Sequence, residues 1–136
     1  MLTDAALLTS GRRTLELEGQ AVSQLAEGLG VSFTAACHLI LETQGRIIVT
    51  GMGKSGHIAH KIAATLASTG TPAFFVHPGE ASHGDMGMIT QRDTVLALSN
   101  SGTTPEILTL LPLLKRLGVK LISMTGQAES TLATAS

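Results

Sequence analysis

The 136 residues fit a single domain, because 43% of them are hydrophobic and only 14% are charged, which supplies ample material for one core. A net charge of -1 with 2% aromatic residues lacks the basic patches and stacking rings of nucleic-acid binding, so we expect no nucleic-acid partner. The single cysteine, Cys37, excludes an internal disulfide framework and fits a reducing compartment, so we expect a cytoplasmic protein.

The N-terminal part of the chain predicts two helices. Apolar residues at helical spacing from about 7 to 29 predict an amphipathic helix, and a second helix is predicted from about 32 to 41. The N-terminus lacks the charged-then-apolar order of a signal peptide, and no apolar run approaches the ~18 residues of a membrane span. We therefore expect no membrane partner.

The rest of the chain alternates between strand and helix patterns. Short apolar, β-branched runs predict strands at 47–49, 73–76, 94–98 and 119–124. Helices are predicted from Ile58 to about Gly70, from Pro105 to Gly118 and near Glu129, whereas 77–91 is predicted to be irregular. Pro112 should kink the second of these helices at a cost of about 3 kcal/mol. Alternation of this kind predicts an α/β fold: a doubly wound parallel sheet with helices on both faces, preceded by the N-terminal helices.

Three polar loops follow the predicted strands, at 50–57, 77–91 and 99–104. In a doubly wound sheet, ligands bind beyond the carboxyl ends of the strands, where loops meet the N-termini of helices. These three loops hold most of the unusual polar residues of the chain. The sequence therefore predicts the functional site at this edge of the sheet.

The first loop has the glycine spacing of a dinucleotide site, since 51–56 reads GMGKSG directly after a strand. The second strand, however, ends in His77 and Pro78 where a dinucleotide site needs an acidic residue. The first glycine of a nucleotide-triphosphate loop would fall at Ile48. What remains is a site for one phosphate or a comparable anion, built from backbone N–H groups, a helix N-terminus and Lys54.

The second loop reads SNSGTT at 99–104 and opens the helix that begins at Pro105. Five short hydroxyl or amide side chains around one glycine supply hydrogen-bond donors for a monophosphate without a strongly basic pocket. A turn of this composition is also common as a simple helix cap. Its pairing with the lysine loop favours the phosphate interpretation.

Several blocks of the sequence resemble a known family. The segment 99–106 is similar to the phosphate loop of SIS (sugar isomerase) domains. The blocks GMGKSGH at 51–57, STGTP at 68–72 and FVHPGEASHGD at 75–85 are together similar to the arabinose 5-phosphate isomerases. The resemblance implies a flavodoxin-like, three-layer α/β/α domain that interconverts ribulose 5-phosphate and arabinose 5-phosphate, the entry to Kdo and lipopolysaccharide synthesis.

The resemblance also implies roles for individual residues. Glu106, in the first turn of a helix beside the phosphate loop, is expected to be the base that moves a proton between C1 and C2. Lys54 is expected to hold the phosphate or neutralise the enediolate, and His83 to contact a hydroxyl or help to open the ring. Substrate and phosphate binding are expected at Gly53, Ser55, Gly70, Thr71, Ser99, Asn100, Ser101, Thr103 and Thr104.

No redox cofactor is required for this isomerisation, and the resemblance suggests at most a non-catalytic zinc ion at His77. It implies a homo-oligomer, specifically a tetramer, and a domain that continues past Ser136, commonly into CBS domains. The chain is therefore expected to be one SIS domain over 1–136, incomplete at its C-terminus. A non-catalytic sugar-phosphate-binding SIS module and another SIS sugar-phosphate isomerase remain as alternatives.

Overall fold

The computed structural model describes residues 2–82 and 84–136. Four strands form one parallel sheet in the order β2-β1-β3-β4. The strands are β1 (Ile47–Gly51), β2 (Ala73–Phe75), β3 (Thr94–Leu98) and β4 (Lys120–Met124). The predicted parallel α/β fold is confirmed.

Seven α-helices surround or precede these strands within the described residues. They are α1 (Asp4–Glu27), α2 (Val31–Leu41), α3 (Gly53–Ser68), α4 (Pro78–Ser82), α5 (Pro105–Leu108), α6 (Leu111–Leu117) and α7 (Thr131–Thr134). A 3-10 turn also spans Asp85–Met88. The stretch predicted to be irregular thus contains α4 and this turn, which are too short to show a helical period.

The chain divides into two compact units, residues 1–35 and 36–136. In the first unit, the hydroxyl of Thr3 caps α1 by accepting a hydrogen bond of 3.3 Å from the N–H of Ala6. Large apolar side chains of α1, such as Leu15, Val22 and Leu25, are exposed. No single helix among the described residues is long and apolar enough to span a membrane. The bent pair of α1 and α2 has the length and apolar composition of a membrane span only when the two helices are counted together.

The second unit has a core on each face of the sheet. Because side chains of a strand alternate, Ile47 and Val49 of β1 pack on one face with Ala59 of α3, and Ile48 packs on the other with Leu114 of α6. Burial of each such aliphatic side chain contributes about 1.5 to 3 kcal/mol. Helices therefore cover both faces, as a doubly wound sheet requires.

The helix predicted from Pro105 to Gly118 is two helices in the structure. The break falls at 109–110, between the end of α5 and the start of α6. Pro112 lacks an N–H, and its ring would clash with the carbonyl of Leu108 four residues earlier, which is the last residue of α5. The predicted kink is thus a complete break, and both pieces still bury Ile107 and Leu114.

A buried carboxylate ties the start of β1 to the loop before β3. Asp93 has 1% of its side chain exposed. Its Oδ1 accepts from the N–H of Arg46 at 2.7 Å, and its Oδ2 accepts from the N–H and hydroxyl of Thr90 at 2.7 and 2.9 Å. Burial raises the pKa of Asp93, but these hydrogen bonds and the Arg46 guanidinium outweigh it and hold the pKa below its ordinary value.

Asp93→Asn should lower the free energy of unfolding by about 1.5 to 3 kcal/mol, because the charged acceptor of three hydrogen bonds is lost. The folded-state pKa is depressed, so this stabilisation is fully present above about pH 4 and is lost as the pH falls below that value. Urea unfolding between pH 3 and 7 measures both effects. Asp4→Asn, at an exposed helix N-terminus, is the control and should cost at most about 1 kcal/mol. Equal losses in the two variants would contradict the prediction.

Thr50 carries a buried hydroxyl without a hydrogen-bond partner among the described residues. It is 2% exposed and lies opposite Ala97 in the register of β1 and β3. A buried hydroxyl left unpaired costs about 1 to 3 kcal/mol relative to a paired one. By contrast, the buried hydroxyl of Thr94 in the neighbouring strand β3 has a partner, since it shares a hydrogen bond of 2.6 Å with the hydroxyl of Thr43.

Thr50→Val should therefore raise the free energy of unfolding by about 1 kcal/mol, because valine has the same shape and no polar atom. Thr94→Val is the matched control: it removes one partner of a made hydrogen bond and should lower stability by about 1 kcal/mol. Urea midpoints of the two variants measured side by side test this. A loss of stability in Thr50→Val would show that its hydroxyl has a partner.

Candidate functional site

A cavity opens at the topological switch point of the sheet. The chain leaves β1 through α3 towards β2 on one side, and leaves β3 through α5 and α6 towards β4 on the other. The crevice between β1 and β3 is where ligands of such sheets bind. The cavity has a volume of about 310 Å³ and is lined by Lys54, Ser55, Ile58, Leu98, Ser99, Asn100, Met124, Thr125 and Gly126.

The glycine loop after β1 is shaped by close backbone contacts. A Cβ at Gly51 would lie 2.9 Å from the carbonyl oxygen of Ser55, and a Cβ at Gly56 would lie 2.7 Å from the carbonyl oxygen of Gly51. Gly53 adopts a φ of +53°, in the left-handed region that favours glycine. The turn from β1 into α3 therefore needs glycine at all three positions.

The N-terminus of α3 faces the cavity without a side-chain cap. Met52 is the N-cap residue and makes no capping hydrogen bond. The first N–H groups of the helix point outward with a partial positive charge, and Lys54 adds a full one. Lys54 is exposed and forms no ion pair within the described part of the chain. This wall of the cavity is suited to an anion.

The loop at 99–104 is held in shape by its own hydroxyl groups. Ser99 is buried, and its Oγ accepts a hydrogen bond of 3.0 Å from the N–H of Gly102. The same oxygen shares a hydrogen bond of 2.7 Å with the hydroxyl of Thr104, which therefore does not cap α5. The N–H of Thr103 donates to Ser101 Oγ at 3.3 Å. Ser99 and Thr104 thus brace the loop.

Three backbone N–H groups of this loop are left for a ligand. Those of Asn100, Ser101 and Thr104 find no acceptor among the residues that the structure describes. Asn100 and Ser101 are also exposed. Consecutive free N–H groups in a turn form a concave site for a phosphate or carboxylate.

The loop after β4 supports the loop at 99–104 and completes the cavity. The N–H of Gly126 donates to the carbonyl oxygen of Asn100 at 3.0 Å, and the Thr125 hydroxyl donates to the same oxygen at 3.3 Å. Met124, Thr125 and Gly126 were not predicted from the sequence. The signal was present, because they end or directly follow a strand at the same edge of the sheet.

Comparison with known proteins places this architecture in a family. Residues 40–136 match the SIS domain. The chain belongs to the SIS domain family. Over 126 residues it is 67% identical to the arabinose 5-phosphate isomerase KdsD of Pseudomonas aeruginosa, and 52% identical to that of Escherichia coli strain K12. A structure from E. coli CFT073, solved in complex with A5P, superposes with a TM-score of 0.94 at 42% identity and covers 98% of this chain and 71% of that one.

The SIS domain described here accounts for less than half of these curated relatives. The matches cover 93% of this chain but 39% of the P. aeruginosa protein and 38% of the E. coli K12 protein. The activity of the relatives therefore enters below as a proposal.

The structure brings one group of the predicted site residues together in the SIS domain. Lys54, Ser55, Ser99 and Asn100 line the same cavity. The first residue of α3 is Gly53, which directly follows the turn after β1. The loop at 99–104 contains Ser101, Thr103 and Thr104. Glu106 is exposed in the first turn of α5 and is not among the lining residues. His83 lies outside the described residues.

Gly70 and Thr71 do not line the cavity, and their role as binding residues stays a prediction. They lie in the loop that leads from α3 into β2, at the edge where the strands begin. Gly70 has a φ of +98°, and the N–H of Thr71 donates to the carbonyl oxygen of Leu66 at 2.9 Å. This is the geometry of a helix C-terminus ended by glycine. In the structure both residues lie at the C-terminal end of α3.

A zinc ion at His77 stays a prediction. The Nδ1 of His77 accepts a hydrogen bond of 3.2 Å from the N–H of Gly79. The described residues also contain no group of three His, Cys, Asp or Glu side chains able to hold a metal ion. Zinc sites usually have three or four protein ligands.

Proposed function

We propose that the protein containing this SIS domain is an aldose-ketose isomerase that interconverts ribulose 5-phosphate and arabinose 5-phosphate. The observation that carries the proposal is the cavity between Lys54 and the loop at 99–104, in a chain 67% identical over 126 residues to an arabinose 5-phosphate isomerase. Its volume of about 310 Å³ lies at the small end of ligand sites, which suits a pentose phosphate. The bound A5P in a structure at 42% identity supports the same substrate.

The reaction moves one proton between C1 and C2 of the open-chain sugar. A base removes the proton from one carbon and returns it to the other, while the adjacent hydroxyl and carbonyl exchange roles through an enediolate. In this proposal Glu106 is the base and His83 contacts a substrate hydroxyl. Lys54 and the N-terminus of α3 stabilise negative charge on the phosphate or on the enediolate. No metal or redox cofactor takes part.

Deuterium incorporation tests the proposal directly. The full-length protein is incubated with ribulose 5-phosphate in D₂O, and deuterium at C1 and C2 and the formation of arabinose 5-phosphate are followed by NMR. Proton transfer through an enediolate exchanges the moving hydrogen with solvent, so both signals are expected. Neither exchange nor product in the full-length protein would overturn the isomerase.

A second candidate is a non-catalytic SIS module that binds a sugar phosphate. The observation that favours it is the position of Glu106, which is exposed and does not line the cavity. Such a module needs the phosphate cradle but no base. Binding of arabinose 5-phosphate in calorimetry without deuterium exchange would identify this second function.

We further propose a cytoplasmic homo-oligomer, a tetramer by the family resemblance, whose product supplies Kdo and lipopolysaccharide synthesis. The exposed apolar side chains of α1, including Leu15, Val22 and Leu25, support association of copies. Sedimentation of the full-length protein measures the oligomeric state.

A further inference from the structure

Two large apolar side chains line the cavity and are exposed. Ile58 is exposed to 56% and Met124 to 53%. They lie on different elements, α3 and β4, so their exposure at one cavity is not the result of a single displaced segment. Apolar surface at a binding cavity favours a ligand that carries apolar surface of its own.

The local structure explains why these two residues line the cavity. Ile58 follows Lys54 by four residues in α3, so the two side chains share one face of the helix. Met124 is the last residue of β4 and lies on the same face of the strand as Ile122, which is 8% exposed and packed in the core. Met124 therefore lies in line with the buried Ile122 on one face of β4, but beyond the end of the hydrophobic core.

The cavity consequently has two parts of different chemistry. The polar part consists of Lys54, Ser55 and Asn100 with the free N–H groups of the loop. The apolar part has the buried Leu98 as its floor, beside Met124 in the strand register, with Ile58 and Met124 exposed at its rim. An inorganic phosphate needs only the polar part. A sugar phosphate also has a carbon chain, whose C–H bonds can contact the apolar part.

We propose that Ile58 and Met124 are specificity-determining residues, which contact the carbon chain of the bound sugar phosphate and limit its length. The inference rests on the proposed sugar-phosphate function. With the phosphate held at Lys54 and the loop at 99–104, Ile58 and Met124 are apolar side chains of the same cavity that the carbon chain can contact. One methylene group more or less in such an apolar site changes discrimination by about 10- to 200-fold.

The test compares Ile58→Ala and Met124→Ala in the full-length protein. For each variant, kcat/KM is measured with arabinose 5-phosphate and with glucose 6-phosphate, and the Kd of inorganic phosphate is measured by calorimetry. Shortening either side chain should reduce the preference for the five-carbon sugar about tenfold. The Kd of inorganic phosphate should not change. Met124→Leu should keep the wild-type preference, because leucine has nearly the same volume as methionine.

Leu117→Ala is the control, because Leu117 is an exposed apolar residue of α6 that does not line the cavity. An unchanged ratio of the two kcat/KM values in both alanine variants, with an active wild type, would overturn this inference alone. If an alanine variant weakened the binding of inorganic phosphate as much as it changed the ratio of kcat/KM values, the inference would also fail, because the side chain would then have a structural role. A wild type that neither binds nor isomerises arabinose 5-phosphate would instead overturn the proposed function.

Discussion

Glu106→Gln is expected to lower the rate of deuterium exchange into ribulose 5-phosphate by about 10²- to 10⁴-fold, the usual contribution of a general base. Glutamine keeps the size of the side chain and its carbonyl oxygen but does not accept a proton from carbon. Binding of arabinose 5-phosphate should stay nearly constant, because Glu106 does not line the cavity proposed to hold the phosphate. Exchange by NMR and binding by calorimetry separate the two effects.

The alternative role of Glu106 is electrostatic, as an acid in the first turn of α5. In that role glutamine would cost at most about 1 kcal/mol of stability and leave turnover intact. Glu129→Gln is the control, since Glu129 is an exposed glutamate outside the cavity. It should keep full exchange. Full exchange in Glu106→Gln as well would remove Glu106 from the mechanism.

The architecture of the sheet was predictable because each strand is a short β-branched run that ends at a polar or glycine-rich loop. Predicted strands at 47–49, 73–76 and 94–98 lie within two residues of the observed boundaries. The break at Pro112 was predictable as a kink, because the loss of a hydrogen bond follows from the residue alone. The short α4 was not, since five residues do not complete a helical period.

The cavity was predictable on one side only. Four lining residues are polar and follow apolar strand patterns, so they can be recognised in the sequence: Lys54, Ser55, Ser99 and Asn100. Met124 belongs to a strand pattern and is indistinguishable there from a core residue. Its exposure depends on where packing ends, which is a tertiary property. The unpaired hydroxyl of Thr50 is equally invisible, because a hydrogen bond requires a spatial neighbour.

Gly70 and Thr71 lie away from the cavity that the other predicted residues line. Both belong to a block shared with the family, and that block suggested binding. They precede β2, however, whereas the loops that line the cavity follow strands. In a parallel sheet the two ends of the strands lie at opposite edges. The sequence already placed Gly70 and Thr71 before a predicted strand and Lys54 after one, which are opposite edges of a parallel sheet.

Gly102→Ala is expected to destabilise the domain by about 2 to 5 kcal/mol, the sum of left-handed strain and overpacking. Gly102 has a φ of +64°, and a Cβ there would overlap Oγ and Cβ of Ser130 and lie 3.0 Å from Thr125 Oγ1. Gly102 also donates to Ser99 and accepts from the N–H of Leu132 at 3.1 Å. The loop cannot move away without releasing these contacts, so phosphate binding should be lost with stability.

Gly118→Ala separates strain from overlap. Gly118 has a similar φ of +69°, but a Cβ there would meet only the flexible side chain of Gln91, at 3.3 Å. It should cost about 1 to 2 kcal/mol and leave the Kd of inorganic phosphate unchanged. Urea unfolding and calorimetry of both variants give the comparison. If the two alanines cost the same and both bind phosphate, the loop at 99–104 does not depend on its contact with Ser130. A larger loss at Gly102, relieved in the double variant Gly102→Ala and Ser130→Gly, would locate the effect in that contact.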